Sequence, residues 1–267
     1  MGEQFKRLSC LEVLSGYSSS RLEEIGRIRS EVGGVKIEDD FLVLLLILDQ
    51  QARFSRKSAV AFLQRLEEAC NTAEEWRFFI PMSPDYQKMK GGGWILGTGE
   101  EKPATFSVAT FIELMRNCGL RAESFFPVLV DLCPEVPLSD QDFQRNLRGV
   151  ERALGSHGVQ VGLLSDFVGE DFIKQVEGRG PTFKTDASRL LKQAGVLTHL
   201  RRGSGGDVLT QIAAVMALYE ELGNFCRRGG MVIVDCQARE YPGQQSYYGN
   251  AARVRIGDDL HRRLYGV

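Results

Sequence analysis

The spacing of apolar positions changes near residue 76. Before that point they recur at helical intervals. Ser18, Ser19 and Ser20 offer N-caps for a helix over Arg21–Glu31, and Gly33 and Gly34 end it. Glu38, Asp39 and Asp40 precede the run Phe41 to Leu48 and suit a helix first turn, although the continuous apolarity also fits a strand. Val60, Leu63 and Leu66 share one face of a further helix, capped by Ser55 or Ser58. Residues 1–75 therefore read as a helical N-terminal lid or accessory subdomain.

From Trp76 onward, short apolar runs alternate with helical segments. RFFIPM reads as a short strand or extended entry, KGGG as a turn, and WILGTG (from Trp94) as an apolar strand closed by glycines. Helices are predicted over Phe106–Gly119, Asp140–Leu154, Thr185–Ala194 and Val208–Phe225. Between and after them FFPVLVDL, VQVGLLSDF, GVLTHL and MVIVDC read as strands, with AARVRIG as an edge strand. Strands alternating with helices specify an α/β fold, a mostly parallel sheet flanked by helices, over residues 76–267.

Composition narrows the function classes. Apolar residues make up 43% of the 267 and charged residues 25%, so a packed globular chain is expected. The formal net charge of -2 disfavours a general binder of nucleic-acid backbones and favours a small-molecule substrate. Six cysteines without a C-x-x-C pair and three scattered histidines predict no metal site. The N-terminus MGEQFKRLS lacks the apolar stretch of a signal peptide, and FLVLLLILD is too short to span a bilayer. A cytoplasmic, reduced protein without membrane association is the expectation. The run Phe41 to Leu48 is too apolar to face water, so it packs on the sheet domain or on a second copy in a homodimer. In the first case it covers the ligand crevice, with Tyr17, Arg53 and Phe54 as acceptor-pocket candidates.

A parallel sheet binds ligands beyond the carboxyl ends of its strands, where the strand order reverses. Residues just after each strand are therefore the candidates. Gly97, Thr98 and Gly99 follow WIL, and two near-adjacent glycines let a ligand approach the backbone, or simply make a turn. Asp131 ends FFPVLVD; it suits two ribose hydroxyls, or caps its own turn. Asp166 and Phe167 follow VQVGLL; they suit an adenine amino group and ring, or an N-cap.

Taken in order, WILGTGE, VLVDLCPE, GLLSDF and FCRRGGMVIVD resemble the motifs of class I S-adenosylmethionine-dependent methyltransferases. FFPVLVDLCPEV with VGLLSDF is similar to the corresponding region of histidine-specific methyltransferases. The resemblance covers about Trp94 to Asp235 and implies a Rossmann-like sheet. It also implies S-adenosylmethionine as cofactor, held by Gly97, Thr98, Gly99, Asp131, Asp166 and Phe167, and methyl transfer to a small acceptor. The motif's third glycine is missing, because Glu100-Glu101-Lys102-Pro103 follows Gly99, and no catalytic base is marked. The methyl group is already activated, so alignment of acceptor and methyl carbon carries most of such catalysis.

A second resemblance starts earlier. Arg77 through FFIPMSPDYQKMKGGGWILGTG, then a helix and VLVD, resembles the tRNA-dependent cyclodipeptide synthases. That family implies a nucleophilic serine just after the first main strand. The serine stands there in a G-x-S context; the matching place here reads Gly97-Thr98-Gly99, so the serine is absent and only the bulkier Thr98 is offered. Glu221 falls at the family's catalytic glutamate, with Ala217 four residues earlier where a tyrosine stands. Arg145, Arg148 and Arg152 would face tRNA, or form a solvated helix face. The third reading is a non-catalytic Rossmann-like binding module.

Overall fold

The computed structural model describes residues 19–32, 44–45, 48, 60–61, 63–66, 76–84, 86–88, 94–96, 98–100, 102–132, 140–192, 208–236, 248–257 and 260–261. The elements run α1 (Ser19–Val32), β1 (Phe78–Met82), β2 (Tyr86–Lys88), β3 (Trp94–Leu96), α2 (Pro103–Asn117), β4 (Phe125–Leu129), α3 (Asp140–Gly155), β5 (Gly162–Leu163), α4 (Leu164–Phe167), α5 (Glu170–Arg179), α6 (Lys184–Lys192), α7 (Val208–Arg228), β6 (Val232–Asp235) and β7 (Arg253–Arg255).

Five strands form one sheet in the order β5-β4-β1-β6-β7, and every pairing in it is parallel. Helices cover both faces, so the fold is α/β and Rossmann-like, as the alternating pattern predicts. All five residues of β1 are buried, because the central strand has a helical layer on each side. Phe78, Ile80 and Met82 point to one core, shared with Phe111 and Met115 of α2 and Leu147, Val150 and Leu154 of α3. Phe79 points to the other, with Phe172 of α5 and Leu218, Leu222 and Cys226 of α7. Burial pushes the Cys226 thiol far above its ordinary range, which keeps it a neutral core residue.

Local chemistry sets the element ends. Pro103 occupies the first turn of α2, where its missing N–H is not needed. Gly230 follows α7 at a φ of 61°, and Met231 N–H donates to the Cys226 carbonyl at 2.8 Å, closing the helix as the Arg-Arg-Gly-Gly run predicts.

Two expectations change. WIL is β3, which pairs antiparallel with β2 in a separate two-stranded hairpin; the first sheet strand is β1, from the RFFIPM run. The long strand expected over Val159–Phe167 is two residues, Gly162–Leu163, and Leu164–Phe167 is helical. A break there follows from Asp131, which accepts from the Ser165 backbone N–H at 3.0 Å and so starts the helix. The strand expected at GVLTHL lies outside the described residues.

Leu44, Leu45, Leu48, Leu63 and Leu66 are buried in the same core as Phe78 and Phe111. The described part of residues 1–75 thus shares the core on the α2 face of the sheet. Tyr17, Arg53 and Phe54 lie outside the described residues. Among the described residues, no helix is long and apolar enough to cross a membrane.

Candidate functional site

The sheet order reverses between β1 and β6, which places the ligand-binding crevice of such a sheet there. The strands pair only at Phe78 with Val232 and Phe79 with Ile233. Extending that register would align Pro81 with Asp235 and Met82 with Cys236, but the ladder has already ended. Pro81 has no N–H to donate, so it cannot continue a ladder on that edge. Beyond the last pair lies a crevice of about 250 Å³.

Ser83 follows β1 at its mouth, and Lys102, Pro103 and Ala104 bring in the first turn of α2. Tyr219 comes from α7, Asp235 and Cys236 from the end of β6, and Tyr248 from the segment before β7. Lys102 Nζ donates to the Ser83 carbonyl at 2.8 Å and to the Pro84 carbonyl at 3.3 Å. It therefore fixes the turn that carries Ser83. The N-terminal end of α2 thus lies at the crevice, with the Thr105 and Phe106 N–H groups already donating to the Lys102 carbonyl.

The crevice floor is charged and aromatic. Asp235 is buried, with Oδ2 3.5 Å from Arg253 Nη1 and 3.8 Å from Arg255 Nε. Alternation along β7 puts both arginines on one face while Val254 enters the core. The Tyr219 and Tyr248 rings meet edge to face at 5.2 Å. Burial, then the neighbouring Asp235 carboxylate, raises the Tyr248 hydroxyl well above the ordinary tyrosine range, so it stays protonated at neutral pH. These groups offer a hydroxyl nucleophile, phenolic proton donors and a positive helix end around one small volume.

The residues predicted from sequence lie elsewhere or have other partners. Gly97 is outside the described residues, and Thr98 is exposed. Gly99 is buried against α3: a Cβ there would meet Val150 Cγ2 at 2.7 Å and the Asn146 backbone oxygen at 3.0 Å. Thr105 Oγ1 also donates to its carbonyl, at 2.8 Å. The glycine seats a loop on a helix. Asp131 stands beyond β4, as expected, but both its oxygens bond Ser165, one to the backbone N–H and one to the hydroxyl. Asp131 thus caps α4, 34 residues on, and not its own turn as the sequence alternative had it. Asp166 is exposed on α4. Phe167, 39% exposed, packs edge-on against Phe79 and Phe126 at 6.4 Å, so its ring covers the sheet face. Glu221 is buried and bonded by Arg179 and by Asn224 Nδ2 at 3.2 Å; Asn224 is its own helix neighbour. Ala217 is buried one turn earlier.

The sequence reading missed Ser83, Lys102, Tyr219 and Tyr248. The available signal was FFIPM, five apolar residues followed by Ser83-Pro84, which is a strand end as good as WIL. Among the described residues, no cluster of acids, cysteines and histidines could hold a metal ion. No protein-family model, curated protein or solved structure gives a significant match to this chain.

Proposed function

We propose that this chain is an acyl transferase that takes aminoacyl esters as donors and uses Ser83 as its nucleophile. The observation that carries this reading is the position of Ser83, directly after the first sheet strand at the switch point. The cyclodipeptide-synthase resemblance requires a serine there, and assigning WIL as the first strand hid it. The context is Pro81-Met82-Ser83 instead of G-x-S.

In the first step Ser83 Oγ bonds to the carbonyl carbon of the ester, and the bond to the leaving ribose oxygen breaks. The serine proton passes to that oxygen, with the Tyr219 phenol in the same crevice as the relay. The first turn of α2 and the Lys102 ammonium offset the negative charge that develops on the carbonyl oxygen. In the second step an acceptor amine attacks the acyl-serine, an amide forms, and Ser83 recovers its proton. Arg145, Arg148 and Arg152 lie exposed along α3, Arg152 beside Glu100 at 3.3 Å, and supply cations for a tRNA-borne donor.

The test is intact-protein mass spectrometry after mixing with aminoacyl-tRNA made from total tRNA and mixed amino acids. An aminoacyl adduct is expected on the wild type and is absent from Ser83→Ala. No adduct on the wild type overturns the reading.

A second reading is an S-adenosylmethionine-dependent methyltransferase acting on a small molecule. The sheet order and the placement of Asp131 after β4 favour it; the seating of Gly99 on α3 weighs against it. A rise in melting temperature with saturating S-adenosylmethionine, without any acyl adduct, would move the conclusion to this reading.

A further inference from the structure

A second and larger cavity lies away from the crevice, between α5, α6 and α7. Its volume is about 460 Å³, within the roughly 300–1,000 Å³ of small-molecule sites. Phe172, Ile173 and Val176 of α5 face Ala213, Ala214 and Leu218 of α7 across it. The cleft opens to solvent beside Glu177, Pro181, Lys184 and Thr210, and its otherwise apolar lining suits an apolar body. Its walls are braced: Arg179 at the end of α5 pairs with Glu221, and lies 3.4 Å from Glu220, both on α7. Small side chains at Ala213 and Ala214 leave the space that larger residues would fill.

The lining is apolar except at three positions. Glu177 and Lys184 contribute one charge of each sign, and Thr210 a hydroxyl. Among the described residues, neither Glu177 nor Lys184 is paired with an opposite charge. An apolar body with both an ammonium and a carboxylate complements both of these exposed charges; a fatty acid complements only Lys184, and an alkylamine only Glu177.

We infer that this cavity is a binding site for a free apolar amino acid, with its side chain among Phe172, Val176 and Leu218 and its charged ends toward Lys184 and Glu177. The site stands apart from the acyl-transfer reading, because it uses none of the crevice residues.

Calorimetry on the full chain tests it, with L-leucine and L-phenylalanine as probes and 4-methylpentanoate and isopentylamine as single-charge controls. One-site binding of at least one amino acid is expected, with both controls weaker by about fivefold, the value of one exposed ion pair. Ala214→Phe, which narrows the cavity, should weaken binding sharply. Lys184→Glu, at an exposed position, should weaken it without affecting folding, and keeps the test valid should Ala214→Phe fail to fold. No heat with either amino acid, or equal binding of the single-charge controls, overturns the inference. No turnover is measured, so the outcome is independent of Ser83 chemistry.

Discussion

Gly99→Ala should destabilise the fold through sterics, whether or not a ligand is present. Two costs add at this position. Its φ of 77° is left-handed, which costs an L-residue about 1–2 kcal/mol. The new Cβ would also stand 2.7 Å from Val150 Cγ2 and 3.0 Å from the Asn146 carbonyl oxygen. Val150 is a core side chain and Asn146 offers helix backbone, so neither yields freely. Overpacking of this kind costs about 1–3 kcal/mol. The sum is about 2–5 kcal/mol. Gly119 supplies the control, because its φ is 95° but nothing lies within 4 Å of an added Cβ. Gly119→Ala should therefore lose only the conformational part, about 1–2 kcal/mol. Urea unfolding of the three proteins measures both values. A Gly99→Ala variant no less stable than Gly119→Ala would refute the seating of this loop on α3.

Other outcomes follow from described contacts. Asp131→Ala should lose about 1–2 kcal/mol of stability in urea unfolding, because Ser165 loses its cap; wild-type stability would return Asp131 to the ligand-binding candidates. Glu221→Ala should cost at least about 1 kcal/mol on the same measure, since it strips Arg179 of a buried partner; a neutral result would mean the pair carries no stability. Burial lowers the His261 pKa below its ordinary 6.5, against the opposing pull of Glu113. The unfolded chain therefore takes up this proton first on acidification. Stability from His261 is complete above about pH 6.5 and falls as pH drops toward the lowered folded value. The fall between pH 7 and 5 should be shallower in His261→Gln, and identical slopes would exclude His261 as a source.

The fold was legible in the sequence where periodicity was strong. The helices at Pro103–Asn117, Asp140–Gly155 and Val208–Arg228 lie close to their predicted spans, because each has a long apolar face and a clear terminator. The strands at Phe125–Leu129 and Val232–Asp235 were legible because apolar runs end at turn residues. The first sheet strand was harder, since FFIPM carries a proline that argues against a central strand, while WIL ends in glycines that mimic a phosphate loop. Choosing between them needed long-range pairing: β1 lies between β4 and β6, and no local pattern records that. The site followed the same error. Ser83 was overlooked because its run was read as a short strand or entry and not as the central sheet strand, and Tyr219 and Tyr248 sit far apart in sequence and meet only through the packing of α7 on the sheet.

The early end of the β1–β6 ladder also bears on self-association. A sheet ordinarily leaves unpaired backbone groups only on its outer strands, where another chain can add a strand and seed aggregation. Here the ladder opens in the middle of the sheet, between β1 and β6. β4 and β7 occupy the far sides of those two strands, and α2 and α7 close the layers above and below. The crevice there, about 250 Å³, is of a size for a small molecule and not for an added β-strand. The protein thus gains an interior stretch of open strand edge without the liability that the same feature carries at a border.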